Sequence, residues 1–230
     1  MPLNERYRRQ VALLIAAMPF VAAEREFALK GGTAINLFVR DMPRLSVDID
    51  LTYLPVAPRS ESLAAIDTGM KRIAAALRAG LRGVRVNEVV NAREQIVTKL
   101  MVQGSDAQIK IEVTPVLRGC VFEPEVRAVS PAVEDTFGFA EMQMVSFSDL
   151  YAGKIMAALD RQHPRDLFDV RDLLANEGIS DDLRRAFPEP RQAAQRLPAE
   201  DREALAPVYR SVPVDRRCLP WPSLPSPASA

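Results

Sequence analysis

The stretch from Leu29 to Leu51, LKGGTAINLFVRDMPRLSVDIDL, joins a glycine turn to a pair of carboxylates two residues apart. Gly31 and Gly32 let the backbone turn tightly and come close to a ligand. Thr33 then opens a short apolar helix, Ala34 to Val39, whose free N–H groups can face a phosphate. Further on, Asp48 and Asp50 alternate with Ile49 and Leu51, which predicts a strand with one apolar face and both carboxylates on the other. Two carboxylates facing the same way can hold Mg2+, and a phosphate cradle beside them suits nucleotide chemistry. A glycine pair alone is an ordinary turn, and Asp-x-Asp alone an ordinary solvated face; their conjunction with further motifs in order gives them weight.

A glycine and Ser/Thr turn, a short helix and Asp-x-Asp on a strand resemble the signature of the DNA polymerase beta-like nucleotidyltransferase superfamily. GGTAIN followed by RLSVDIDL is similar to its AbiEii/AbiGii (MenT-like) toxin branch. Three further segments extend the resemblance. In QIKIEVTP, residues 108–115, apolar Ile109, Ile111 and Val113 alternate with Lys110, Glu112 and Thr114, so a half-buried strand presents Lys110 and Glu112 on its polar face. In SFSDLYAGKIMAALDR, residues 146–161, Ser148 is the expected N-cap of an amphipathic helix with Lys154 at its middle. In HPRDLFDVRDLL, residues 163–174, Asp166 and Asp169 share a helix face.

The resemblance implies an α+β fold and a metal-dependent nucleotidyltransferase that transfers a nucleoside monophosphate from an NTP to an acceptor hydroxyl. It implies Asp48, Asp50 and Glu112 as ligands of Mg2+ (or Mn2+), with Glu112 or Asp50 helping to activate the hydroxyl. Gly31, Gly32 and Thr33 would cradle the phosphates. Lys154, with Lys110 and Asp169, would lie at the nucleotide, and Asp166 would orient Lys154 or the acceptor. It further implies a tRNA 3′ end as acceptor, a block to translation and a cognate antitoxin protein, as in a type IV-like toxin–antitoxin system and phage defence. Rival expectations are an enzyme acting on a protein hydroxyl or small antibiotic, and a non-catalytic nucleotide-binding module.

Arg44 precedes the carboxylates and either pairs structurally or binds a phosphate or base. Ser46 is either a plain strand-start serine or a regulatory site, where an added phosphate would oppose triphosphate binding beside the metal. Lysine is scarce, with five of the 30 basic residues, yet Lys110 and Lys154 fall in these motifs.

Composition fits such an enzyme. The 230 residues and 48% hydrophobic content allow a substantial core, and 30 basic against 30 acidic side chains leave no global positive field, so any RNA contact must be local. Candidate patches are Arg6, Arg8 and Arg9; Arg72, Arg78, Arg82 and Arg85; and Arg184 with Arg185, each equally an ordinary solvated helix face. Two cysteines, Cys120 and Cys218, make no disulfide framework, the single His163 rules out a histidine-based zinc site, and a reducing cytoplasm is expected. The apolar run Val11 to Ala23 is too short to span a membrane and is expected to be a structural first helix rather than an export signal.

Periodicity predicts a helix over 5–22, strands over 27–30 and 48–53, a helix over 60–79 stopped by Gly80, and strands near 84–90, 95–103 and 108–114, the last two forming a hairpin at Gly104. A strand over 143–146 and helices to about 206 follow. The expected organisation is a nucleotidyltransferase core over 1–146, a helical part over 147–210, and a proline-rich loose tail over 211–230 that Trp221 could dock.

Overall fold

A computed structural model describes residues 5–186. The expected tail, Trp221 and the helical pattern past 186 lie outside the described residues. The opening helix is α1, Glu5–Ala22, followed by strand β1, Phe27–Lys30. The glycine turn starts helix α2, Gly31–Ala34, which runs on into a single π-helical turn, Ile35–Val39. Then come β2, Asp48–Tyr53; α3, Arg59–Gly80; β3, Arg85–Val90; β4, Val97–Gln103; and β5, Gln108–Arg118. The chain continues through β6, Glu125–Ala128; α4, Pro131–Phe137; β7, Glu141–Met144; and helices α5, Phe147–Arg161, α6, Pro164–Asn176, and α7, Asp181–Ala186.

The strands form one mixed sheet in the order β3-β4-β5-β2-β1-β7-β6. Its centre is laid down by alternation. Ile49 and Leu51 of β2 and Ile109, Ile111 and Val113 of β5 are buried, so the polar residues between them must face the other way. β2 pairs parallel with β5 and antiparallel with β1, and the β4–β5 hairpin closes as expected, with the Gly104 N–H donating to the Ala107 carbonyl at 2.8 Å. Helices α1 and α3 pack on the sheet through Val11, Leu14 and Met18 and through Ile66, Met70, Ile73 and Leu77, all fully buried. The result is the α+β class expected.

Three local expectations are corrected. The N-cap of α5 is Ser146 rather than Ser148: its hydroxyl accepts from the Asp149 N–H at 3.0 Å and donates to the Asp149 carboxylate at 2.7 Å, a reciprocal cap that Ser148 cannot make. The strand expected over 143–146 spans Glu141–Met144, because Ser146 is taken up by that cap. The short helical run after the glycine turn begins at Gly31 itself, three residues before Ala34.

Candidate active site

Sheet register sets the site. Lys30 of β1 lies opposite Asp50 of β2, Asp50 opposite Glu112 of β5, and Glu112 opposite Lys99 of β4, while Asp48 lies opposite Lys110. Residues directly opposite one another project from the same face, so three carboxylates and three lysines share one patch of sheet. The Lys110 ammonium lies 2.7 Å from Glu112 and 3.6 Å from Asp48, and the Lys99 ammonium 3.1 Å from the other Glu112 oxygen. These contacts decide the protonation of each group. Burial alone would raise the Glu112 pKa, but the hydrogen bonds from Lys110 and Lys99 outweigh it and hold the carboxyl below its ordinary value. Asp50 goes the other way: burial pushes it up, Lys110 and Lys30 pull it down, and Asp48 and Glu112 raise it again. Burial likewise lowers Lys30, with Asp50 opposing.

The glycine turn is folded against these carboxylates. Gly31 has φ +78°, and a Cβ there would come within 2.7 Å of an Asp50 carboxylate oxygen; a Cβ on Gly32 would come within 2.6 Å of the Arg44 guanidinium and 2.8 Å of the Ser46 hydroxyl. Only glycine lets the backbone lie this close. Thr33 is fully buried, and its hydroxyl lies 3.1 Å from that of Ser46. Tyr7 of α1 ties this region together. Its buried hydroxyl accepts from Asn36 at 3.1 Å and from the Ser46 N–H at 3.3 Å, and donates to the Arg44 carbonyl at 3.3 Å.

A chain of ion pairs carries the loop before β2 onto α5 and α6. Arg44 makes a bidentate contact with Asp169, both bonds 2.6 Å; Lys154 lies 3.1 Å from Asp169 and 3.0 Å from Asp166; and Arg161 lies 2.8 Å from Asp166. Of Arg44's two readings, a structural pairing is therefore present, and its carboxylate is Asp169 rather than Asp48 or Asp50. Lys154 is only 6% exposed, so contact with a phosphate would require one of its two ion pairs to open. Burial raises the Asp166 pKa, but the bonds from Lys154 and Arg161 prevail and hold it low. Arg40 adds a second fastening, to Asp172 at 2.5 Å and Glu177 at 2.6 Å.

Among the described residues, no three Asp, Glu, His or Cys side chains gather into a ready-made metal cage. The donor set of Asp48 and Asp50 is all oxygen, the kind that a Mg2+-type ion takes when substrate phosphates complete its shell. The Glu112 oxygens both face ammonium groups instead. Sequence reasoning missed Lys30, Lys99, Tyr7 and Arg40. The scarcity of lysine was the available signal, since four of the five stand in or beside this site.

The structure is similar to MenT4, a nucleotidyltransferase toxin from Mycobacterium tuberculosis H37Rv, with a TM-score of 0.57 and 16% identity over 79% of this chain. The chain spans 64% of the length of MenT4. A looser likeness, TM-score 0.38 at 18% identity over 88% of this chain and 98% of the other, is to ANT(2")-Ia in complex with adenylyl-2"-tobramycin, and it carries no argument. At such identities likeness is one of fold. No curated protein matches the chain. Residues 12–214 match the family described as nucleotidyl transferase AbiEii toxin, type IV TA system, and the chain belongs to that family.

Proposed function

We propose that this protein transfers a nucleoside monophosphate from an NTP to the 3′ hydroxyl of tRNA, blocking translation until a cognate antitoxin restrains it. The observation that supports the reading is the closure of the Gly31 turn over Asp50, which puts the glycine backbone directly against that carboxylate. Mg2+ or Mn2+ bound at Asp48 and Asp50 would supply positive charge to the triphosphate. The Gly32 N–H would hold a phosphate oxygen, with the Arg44 guanidinium against that glycine, and the Thr33 N–H would join it once uncovered. The acceptor oxygen bonds to the α-phosphorus, the α–β anhydride bond breaks, pyrophosphate leaves, and the hydroxyl proton passes to a carboxylate. Asp50 suits that last step better than Glu112, whose oxygens are already engaged by two ammonium groups. Lys154 serves this site by neutralising Asp166 and Asp169, the second of which in turn holds Arg44 in place. A phosphate on Ser46 would stand between Thr33 and Asp48 and oppose triphosphate binding.

The family's name supports the toxin and antitoxin roles. No helix among the described residues is long and apolar enough to cross a membrane. The proposed setting is the cytoplasm, with the catalytic core over 1–146 and helices from 147 holding its flank. The test is incubation of purified protein with Mg2+, each α-32P-labelled NTP and total tRNA, with Asp48→Ala as control. Labelled tRNA, absent in the variant, is expected. Label on protein or a small molecule would move the assignment to that acceptor, and no label anywhere would favour a binding module.

A further inference from the structure

All five lysines of the chain lie among the described residues, and four of them are engaged by carboxylates. Lys71 lies 2.6 Å from Asp67, Lys99 and Lys110 lie 3.1 Å and 2.7 Å from Glu112, and Lys154 lies 3.0 Å from Asp166 and 3.1 Å from Asp169. Lys30 makes no ion pair among the described residues, although Asp50 stands directly opposite it in the β1–β2 ladder. An Asp50 carboxylate oxygen lies instead against the glycine turn, where a Cβ on Gly31 would meet it at 2.7 Å.

Position gives this lysine its use. Lys30 is the last residue of β1, and the glycine turn starts at the next residue. Because opposite residues share a face, its side chain rises on the side of the sheet that carries Asp50 and Glu112, next to that turn. Lys30 is half-buried, and burial works against its charge by more than Asp50 offsets. An anion arriving at the turn would offset the remainder. The other cations near the turn are committed: Arg44 is held by both Asp169 oxygens, and Lys154 is buried between two aspartates. The reacting α-phosphorus belongs beside Asp48 and Asp50, which leaves the β- and γ-phosphates for the turn and for the lysine that precedes it.

We propose that Lys30 is a further catalytic residue, whose ammonium contacts the β- and γ-phosphates of the bound NTP and neutralises the pyrophosphate as it leaves. When the α–β anhydride bond breaks, its electron pair stays on the pyrophosphate oxygen, and Lys30 donates a hydrogen bond to the leaving group without giving up its proton. The proposal rests on the NTP lying at the glycine turn and not on the choice of acceptor. The test is therefore made without acceptor: equilibrium binding of NTP, NMP and inorganic pyrophosphate, each with Mg2+, to wild type, Lys30→Met, Lys30→Arg and the control Lys71→Met, with Tm for each. Lys30→Met is expected to weaken NTP and pyrophosphate roughly ten- to a hundredfold, the effect of losing one charge-assisted hydrogen bond, and to leave NMP unchanged. Lys30→Arg should recover most of that loss, and Lys71→Met should bind as wild type. If Lys30→Met unfolds, the wild type carries the comparison through its rate of lysine acetylation read by mass spectrometry, where pyrophosphate should slow Lys30 but not Lys71. Unchanged NTP and pyrophosphate affinity in the variant, an equal loss for NTP and NMP, or an acetylation rate at Lys30 that pyrophosphate does not slow would each overturn the role of Lys30 alone. Wild type that binds neither NTP nor pyrophosphate would overturn the NTP site at the turn and Lys30 with it.

Discussion

At the scale of single residues, the carboxylates divide into those the fold favours and one it disfavours. Asp50 has its pKa raised, mainly by burial, so its contribution to stability is present below the ordinary carboxylate pKa and is lost as pH rises through the higher folded value. At neutral pH the charged Asp50 therefore weakens the fold. Asp50→Asn is expected to raise Tm by about 2–4 °C for each kcal/mol recovered. The same change should lower kcat/KM by on the order of a hundredfold or more, as for loss of one preorganised charged group. Calorimetry and the labelling assay check both; a fall in Tm would mean that Lys30 and Lys110 more than offset the burial. Lys154 is the opposite case. Lys154→Met leaves Asp166 and Asp169 facing each other with only arginines at their outer sides, and should cost on the order of 3–5 kcal/mol. If the variant instead keeps its Tm but loses NTP affinity, Lys154 contacts phosphate directly and its counter-ion role is wrong.

At the scale of elements, the site depends on how the loop over 40–47 is held between α1 and α6. Tyr7 fixes it from one side and Arg40 and Arg44 from the other, which settles the direction in which β2 starts and hence where Asp48 points. Tyr7→Phe keeps the buried ring but removes the partner of Asn36 and of the Ser46 N–H. It is expected to cost about 1–3 kcal/mol and to lower kcat while leaving the KM for NTP unchanged; an unaltered kcat would reduce Tyr7 to a packing residue. Periodicity made much of this legible. Alternation in DIDLTY and QIKIEV gave β2, β5 and the face of each carboxylate, because a period of two has one buried solution. It could not give β6, a four-residue strand, Glu125–Ala128, with no fully buried side chain, nor α4, whose seven residues bury only Val133. The Arg44–Asp169 pair was beyond reach for another reason. Its members are 125 residues apart, and nothing local to either marks the other.

At the scale of the whole molecule, formal charges cancel, so pH dependence comes from individual sites rather than from self-repulsion. Asp67, Glu112 and Asp166 all have lowered pKa values: each is raised by burial but pulled down further by hydrogen bonds, from Lys71 and the Val97 N–H, from Lys110 and Lys99, and from Lys154 and Arg161 respectively. For a lowered carboxyl, stability is fully present above the unfolded value, about 4, and is lost as pH falls through the folded one. Among the described residues, Asp50 is the one carboxyl with the opposite sign, against these three. Tm is therefore expected to hold between about pH 5 and 7 and to fall below about pH 4. Asp166→Asn isolates one share of that slope, since asparagine resembles the protonated acid. The variant should melt well below wild type at pH 7, where it lacks the charge that Lys154 and Arg161 face, and the gap should narrow as acid protonates Asp166 in the wild type. A gap constant from pH 7 to pH 3 would show that Asp166 contributes through shape and not through its charge, and that the buried network does not set the acid limit of the fold.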